Sequence, residues 1–269
     1  MRQNTLREPV KITGKGVHKG KRTSIVIKPS NPNTGVNFWS SKGWVGANVM
    51  QIEESISNTT IRNKSFKVET VEHILSCLYG LNIDNALIEM RGDELPIGDG
   101  SAKHFYDAIT SVGVVDQKKS NRIKLCITKK IKYSIGKSSI SIEPADRLVI
   151  DCSLDWHPNI KGRYVYTHNE EEYKDIAYAR TFAEKTYFER LKKEGRAKGG
   201  ILGVNTIDID KNGKSTEYVR HKILDILGDL SLLFGFYIQG KVVAVNSGHK
   251  LHHQLVRGII DVGISVRHN

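Results

Sequence analysis

The sequence predicts an α+β protein with two similar halves, each a two-layer α/β sandwich with a mainly antiparallel sheet and helices. In the first half, short β-like runs alternate with glycine-rich turns and two helical segments. The second half repeats this order of elements without repeating the sequence, and the polar stretch Asp116–Asn121 between them is typical of a linker. We therefore expect two domains, 1–117 and 121–269, that face each other.

In the first half, apolar periodicity and turn residues predict four strands and two helices. The expected strands are Thr5–Thr13, Ser24–Lys28, Val36–Trp39 and Ala86–Met90, and the expected helices lie near Thr70–Tyr79 and Ser101–Ser111. Thr70 and Ser101 are the expected N-caps, and Gly80 is the expected residue just beyond the first helix. Gly14 and Gly16 precede a strand-like run, which argues against a dinucleotide-binding loop.

The second half shows the same alternation of strands and helices. Strands are expected near Ile123–Ile127, Ser138–Ile142, Leu148–Leu154 and Lys241–Val245, and helices near Glu217–Phe234 and Leu251–Ile260. The longer helix is indicated by apolar residues at three- and four-residue spacing, among them Val219, Ile223 and Leu227. No G-x-S-x-G elbow is present, which argues against a serine hydrolase.

Length and composition favour a cytosolic globular protein. The chain has 269 residues, 39% of them apolar, which suits one large domain or two smaller ones with a buried core. Its three cysteines, Cys77, Cys126 and Cys152, are far apart without a C-x-x-C pair, so we expect no disulfide framework. The N-terminus lacks an apolar signal-peptide core, and the most apolar run, Ile223–Ile238, is too short to span a bilayer.

The formal net charge is +12, with Lys and Arg concentrated at Lys11–Arg22, Lys118–Lys137 and Arg190–Lys198. Such a charge fits binding of nucleic acid, of an anionic membrane surface or of an anionic substrate, or it is only a basic surface. Aromatic residues do not alternate with the basic ones, and no RNA-binding or zinc-finger signature is present. A basic nucleic-acid-binding protein stays as an alternative function, without a supporting motif.

A polar stripe follows one side of the long helix in the second half. His221, Asp225 and Asp229 are spaced at i, i+4 and i+8, so their side chains lie on the same face. An imidazole nitrogen and a carboxylate oxygen one turn apart are able to bind a single zinc ion at about 2 Å each. The alternative is that these residues form the solvated face of the helix, and a third ligand elsewhere would decide between the two.

Glu72 and His73 offer the best third ligand. They fall in the first turn of the expected helix near Thr70–Tyr79, where the helix dipole favours a carboxylate and a neutral imidazole. Neither H-E-x-x-H nor H-x-x-E-H is present, so the metal ligands would come from separate segments. The alternative is that this pair is ordinary surface.

Six segments, taken in order, resemble one enzyme family. They are Gly14–Gly20 (GKGVHKG), Thr70–Leu75 (TVEHIL), Glu94–Ala102 (ELPIGDGSA), Ala179–Phe182 (ARTF), Arg220–Asp225 (RHKILD) and Ser247–His249 (SGH). Over nearly the whole chain, the sequence resembles the zinc-dependent UDP-3-O-acyl-N-acetylglucosamine deacetylases of lipid A biosynthesis. The resemblance implies two facing α+β domains with the active site between them. It also implies hydrolysis of the N-acetyl group of the acylated UDP-sugar, with release of acetate.

The resemblance further implies roles for individual residues. His73, His221 and Asp225 would bind one Zn²⁺, Glu72 would be the general base, His249 the general acid or oxyanion partner, and Asp229 would orient His249. Thr181 would hydrogen-bond the oxyanion, Phe182 would line the sugar pocket, Lys222 would meet the diphosphate, and Asp155 and Trp156 would hold the uridine. These residue types suit amide hydrolysis, which needs an activated water, a proton acceptor and a proton donor.

The resemblance also concerns the acyl chain, for which it implies a hydrophobic passage formed by an inserted βαβ element near 182–209. Phe188 and Leu191 share one helical face there, with Gly200 in the following turn. The alternative is that this face packs on the domain core. The chain departs from the family at Asn246, where a Lys is common, and at His252-His253, since the family commonly reads Leu-Asn after the catalytic His.

The expected partner is the small-molecule substrate, an acylated UDP-N-acetylglucosamine. We expect no nucleic acid, no membrane span and a monomer. A zinc deacetylase of the same architecture that acts on another sugar nucleotide is a further alternative, which the motifs leave open.

Overall fold

The structure is a computed structural model that describes residues 1–55 and 57–261, together with the backbone of 265–267. The fold is α+β with several mainly antiparallel sheets, as expected. The elements of the first half are β1 (Arg2–Leu6), β2 (Val10–Lys15), β3 (Arg22–Pro29), β4 (Val36–Ser40), β5 (Gly43–Gly46), β6 (Ile52–Glu53), β7 (Thr60–Arg62), β8 (Lys67–Glu69), α1 (Glu72–Gly80), β9 (Ala86–Arg91), α2 (Lys103–Val112) and β10 (Val114–Asn121). A single 3₁₀ turn, Val49–Gln51, precedes β6.

The main sheet of the first half has the strand order β2-β3-β9-β4-β5. Its strands alternate buried and more exposed residues, and in β3 the side chains of Ile25 and Ile27 are fully buried. This alternation places one face of the sheet against the core. The single expected strand Thr5–Thr13 is two strands, β1 and β2, because the segment that contains Pro9 interrupts the ladder.

The stretch Asp116–Asn121 is not a linker, contrary to the sequence prediction. It belongs to β10, which pairs antiparallel with β1, with Asn4 opposite Asp116 and Thr5 opposite Val115. Most side chains of β10 are exposed or half-buried, so its polar composition reflects an exposed strand rather than a loop. We retain 1–117 and 121–269 as a proposed division into domains, with the boundary inside this strand.

The elements of the second half are β11 (Lys124–Cys126), β12 (Ile131–Ile135), β13 (Ser138–Glu143), β14 (Leu148–His157), β15 (Ile160–Thr167), α3 (Glu170–Ala177), β16 (Phe182–Ala183), α4 (Lys185–Lys193), β17 (Ile207–Asp208), α5 (Ile209–Asn212), α6 (Glu217–Leu230), β18 (Tyr237–Val245), α7 (His249–Asp261) and β19 (Ser265–Arg267). β18 is the central strand, since it pairs with β11, β13 and β14. The β16–β17 pair is parallel and encloses α4, which gives a βαβ unit.

Three predicted helix caps are wrong, each for a local reason. Thr70 has a left-handed φ of 63° and accepts a hydrogen bond from Asn58 Nδ2, while Val71 occupies the N-cap position of α1. Gly80 is the last residue of α1 rather than the residue beyond it, and it is glycine because the ring of Tyr173 packs where a Cβ would be. Ala102 is the N-cap residue of α2, although Ser101 Oγ still accepts a hydrogen bond from Lys103 N.

The cysteines and the helices agree with two expectations from the sequence. Cys77, Cys126 and Cys152 are all free, in agreement with the absence of a disulfide framework. Within the described residues, no helix has the length and apolar character needed to cross a bilayer.

Helices α1 and α6 cross in the middle of the molecule, and both are almost entirely buried. At the crossing, Gly228 of α6 lies directly against the backbone of Glu72 in α1. Any side chain at this position would overlap the Glu72 carbonyl group. The glycine therefore sets the distance between the two helices that carry the candidate metal ligands.

Gly228→Ala tests this close approach. In a helix without the contact, this change would stabilise the protein by up to about 1 kcal/mol through helix propensity. Here we expect a loss of about 1–3 kcal/mol in the free energy of unfolding, because the methyl group meets rigid backbone. Chemical denaturation measures the difference.

Gly258→Ala is the matched control, since Gly258 is also helical and its added Cβ would meet the Tyr133 hydroxyl, the end of a partly buried side chain. Gly258→Ala should lower the free energy of unfolding by less than Gly228→Ala does. A stabilising effect of Gly228→Ala would show that the crossing is not limited by this contact.

Candidate metal centre and active site

The polar stripe of α6 is buried. His221 and Asp225 each have 2% of their surface exposed, and Asp229 has none. The interpretation of this stripe as a solvated face is therefore wrong. The same holds for Glu72 and His73, which are 3% and 4% exposed, because α1 packs on α6.

His73, His221 and Asp225 form a compact group, which we call the metal cluster. Each offers one ligand atom, and these atoms lie within 4.8 Å of one another. His221 Nδ1 donates to the Ala179 carbonyl at 2.9 Å, and His73 Nδ1 lies 3.4 Å from the Ser101 carbonyl. Both rings thus direct Nε2 away from the backbone, with His221 Nε2 3.5 Å from Asp225 Oδ1. Such outer hydrogen bonds orient histidine ligands in metal sites.

The electrostatics of the metal cluster fit a divalent metal. Burial lowers the pKa of His73 to about 3 and also lowers the pKa of His221, so both rings are neutral. Burial alone would raise the pKa of Asp225, but Lys222 and the imidazoles around it hold that pKa well below its usual range. Neutral imidazoles and an ionised carboxylate are the protonation states that metal binding requires.

Glu72 lies beside the metal cluster and faces the same cavity. Its Oε2 accepts a hydrogen bond from the backbone N–H of Thr59 at 2.9 Å. Burial raises the pKa of Glu72 to about 8. A carboxyl group with a raised pKa beside a metal cluster is suited to accept a proton.

His249 approaches the cavity from the first position of α7. Its Nδ1 donates to Asp229 Oδ2 at 2.8 Å, and its Nε2 lies 4.0 Å from Asp225 Oδ2, next to the metal cluster. Burial alone would lower the pKa of His249, but Asp229, assisted by Asp225 and Glu72, raises it to about 9. These contacts favour the cationic form of His249, whose ring lines the cavity.

Sequence reasoning missed several residues around Asp229. Thr59 donates its hydroxyl proton to Asp229 Oδ1, and no motif indicated this residue. His252 Nδ1 is 2.8 Å from Asp229 Oδ2, and His253 Nε2 is 3.0 Å from Thr59 Oγ1. The two histidines were visible in the sequence as departures from the family, but their contacts depend on how α7 packs against α6.

One cavity of about 240 Å³ connects the metal cluster to α4. Its walls include Glu72, His249, Thr181, Phe182, Phe188 and Leu191. Phe188 and Leu191 belong to a small apolar cluster with Ala183 and Ala197, separate from the main core. Gly200 does not line this cavity, but its backbone supports the ring of Phe188, since a Cβ there would lie 3.0 Å from the ring.

A second cavity of about 370 Å³ shares Thr181, Phe182 and Lys222 with the first and is bounded by Trp156. Lys222 hydrogen-bonds Asp225 Oδ2 and lies over the ring of Phe182, with its Nζ 5.8 Å from the ring centre. Asp155 is exposed in a neighbouring depression. Its backbone N–H donates to Asn246 Oδ1 at 2.7 Å, so Asn246 ties the end of β14 to the segment before α7.

The fold and the site together define a class of protein. Two imidazoles and one carboxylate converge at a cavity, and three protein ligands are the number typical of catalytic rather than structural zinc sites. A proton acceptor and a cationic histidine face the same space. This is the arrangement of a metal-dependent hydrolase.

Comparisons with known proteins agree with this class. Residues 3–261 match the family model described as LpxC, UDP-3-O-acyl N-acetylglycosamine deacetylase. Proteins named UDP-3-O-acyl-N-acetylglucosamine deacetylase from Bdellovibrio bacteriovorus, Psychrobacter sp. and Pseudomonas entomophila are 35%, 33% and 34% identical to the chain. The alignments cover 99%, 96% and 97% of this chain and 92%, 92% and 90% of the respective relatives. The chain belongs to this deacetylase family, whose members are metalloenzymes.

The metal cluster predicts the effect of removing each ligand. His73→Ala, His221→Ala and Asp225→Ala should each abolish or greatly weaken metal binding, because two remaining ligands form a poor site. Asp229→Asn is the control and should keep the metal, since Asp229 contacts His249 rather than the cluster. Metal content per protein after dialysis measures the outcome. If the His73→Ala protein still binds one equivalent of metal after dialysis, His73 is not a ligand.

Proposed function

We propose that the protein is a Zn²⁺-dependent amidohydrolase that removes the N-acetyl group of UDP-3-O-(3-hydroxyacyl)-N-acetylglucosamine and releases acetate, an early committed step of lipid A biosynthesis. One observation carries the proposal: the metal cluster shares a single cavity with Glu72 and His249. The names of relatives that cover nearly the whole chain support the substrate. We also propose a cytoplasmic monomer that binds no nucleic acid.

Zinc suits the ligands and the reaction. Two imidazoles and one carboxylate are a common protein set for a catalytic zinc ion, which polarises a carbonyl group and lowers the pKa of water when bound. The residues of the chain perform the proton transfers. Glu72 accepts a proton from the attacking water, and its Oε2 is held in place by the Thr59 N–H.

His249 acts on the other side of the scissile amide. As a cation, it hydrogen-bonds the developing oxyanion and then donates its Nε2 proton to the leaving amine. Asp229 fixes the ring through Nδ1, which leaves Nε2 directed at the cavity. Thr181 lines the cavity and contributes its hydroxyl group to the oxyanion.

The two cavities suggest how the substrate lies. The sugar packs on Phe182 between them, and Lys222 offers its cation to the diphosphate. Trp156 and Asp155 hold the uridine at the outer end of β14. The acyl chain enters the apolar part of the first cavity, along Phe188 and Leu191, with Gly200 behind Phe188.

Acetate release from three substrates tests the function. The acylated UDP-N-acetylglucosamine should be hydrolysed much faster than unacylated UDP-N-acetylglucosamine or an acylated sugar nucleotide with another sugar. Loss of activity after chelation and recovery with Zn²⁺ should follow. A preference for another sugar nucleotide would identify a different substrate, and no hydrolysis with a full metal site would overturn the proposed function.

Glu72→Gln and His249→Ala test the proton transfers. Both variants should keep the metal and lose about 10²–10⁴-fold in kcat, the usual range for acid–base groups. Parental kcat/KM should rise with pH as Glu72 deprotonates and fall as His249 deprotonates. Glu72→Gln should lose the rising limb, and a variant with near-parental turnover would exclude that residue from the mechanism.

Phe188→Ser and Leu191→Ser test the acyl passage. One buried methylene is worth about 0.8 kcal/mol, so loss of a few contacts should lower kcat/KM for the long-chain substrate more than tenfold. The unacylated substrate should be affected much less. Leu202→Ser is the control, because Leu202 packs on the same small cluster without lining the cavity. Equal losses on both substrates would show that this helix has only a packing role.

A further inference from the structure

The Asp229 carboxylate accepts more hydrogen bonds than the orientation of His249 requires. Its Oδ2 lies 2.8 Å from His249 Nδ1 and also 2.8 Å from His252 Nδ1. Its Oδ1 accepts the proton of the Thr59 hydroxyl group. Asp229 is fully buried and His252 is 2% exposed, so these contacts are formed away from solvent.

The tautomer of His252 follows from its two neighbours. An ionised Asp229 only accepts hydrogen bonds, so His252 Nδ1 must carry the proton. The other ring nitrogen, Nε2, lies 3.0 Å from Ser247 Oγ. In the neutral ring this nitrogen is an acceptor, and the Ser247 hydroxyl donates to it. Ser247 therefore holds His252 in the tautomer that donates to Asp229.

The opposite oxygen of Asp229 is fixed in a similar way. The single proton of the Thr59 hydroxyl group is directed to Asp229 Oδ1, so Thr59 Oγ1 accepts from a ring nitrogen. Two ring nitrogens lie within reach of Thr59 Oγ1, His253 Nε2 at 3.0 Å and His249 Nδ1 at 3.1 Å, and the second already donates to Asp229. Donors on both oxygens restrain rotation of the carboxylate, and a fixed carboxylate restrains the ring of His249.

We propose that His252 is a positioning residue, held in its donor tautomer by Ser247, that acts through Asp229 to keep His249 Nε2 directed at the substrate. The inference rests on the proposed function. The amide of asparagine at this position is also able to donate a hydrogen bond to Asp229. His252 is not one of the three residues of the metal cluster, and it does not line the cavity.

His252→Leu and His252→Asn are the main test. His252→Leu should lower kcat about tenfold or more, the loss expected for one hydrogen bond to a charged group, while KM and metal content stay the same. His252→Asn should restore most of kcat. Leu255→Ala is the matched control on α7, since Leu255 is fully buried and its apolar side chain has no hydrogen bond to give to Asp229. It should lower Tm without a comparable loss of kcat.

Two double variants show whether His252 acts through the proposed partners. In a His249→Ala background, His252→Leu should cause no further loss of kcat. Ser247→Ala should lower kcat in the parent, because His252 then loses the donor that selects its tautomer. The same change should lower kcat much less in the His252→Asn background, because asparagine has no tautomers. The second comparison remains decisive if His252→Leu fails to fold.

The outcomes separate this inference from the proposed function. Additive losses in the His249→Ala background, a loss in KM alone, or a His252→Asn protein as slow as His252→Leu would overturn the positioning role while the parent still releases acetate. A parent that releases no acetate with a full metal site would instead overturn the proposed function.

Discussion

The close crossing of α1 and α6 at Gly228 determines where the reactive groups of the molecule lie. Glu72 and His73 come from α1, and His221, Asp225 and Asp229 come from α6. A side chain at position 228 would overlap the Glu72 backbone, so the two helices that carry the ligand atoms of the metal cluster would have to move apart. The absence of a side chain at position 228 thus determines both the packing of the two helices and the spacing of the metal ligands.

The crossing also places ionisable groups where water does not solvate them, so each needs a partner inside the protein. Asp225 has Lys222 and the imidazoles of the metal cluster, and Asp229 has donors on both oxygens. As a result, the buried histidines differ in their protonation. Burial lowers the pKa of His73 and of His221, whereas the carboxylates around His249 raise its pKa, although all three are buried histidines. The difference comes from the number of carboxylates that contact each ring.

The sequence predicted the chemistry better than the packing. The i, i+4 spacing of His221 and Asp225 is a local pattern, so it was visible without a structure. Thr59 contributes only a backbone N–H and a hydroxyl group from the loop before β7. Its role depends on contacts with Glu72, 13 positions away, and with Asp229, 170 positions away. The strand Asp116–Asn121 was predicted as a linker because an exposed strand and a loop have the same polar composition. Gly80 was predicted to end a helix, but it is glycine because Tyr173 packs on it.

The surroundings of the cavity show why the overall charge was hard to interpret from sequence. Two of the basic segments meet there, since the backbone N–H groups of Lys198 and Gly199 donate to the carbonyl groups of His18 and Val17. This contact closes one side of the cavity, and the residues of these segments that line it, Val17, His18, Leu191 and Ala197, carry no lysine or arginine side chain into it. The apolar cluster around Phe188 is separate from the main core. On the proposed function, substitutions in this cluster change the acyl preference, while the α1–α6 crossing keeps its contacts because it belongs to the main core.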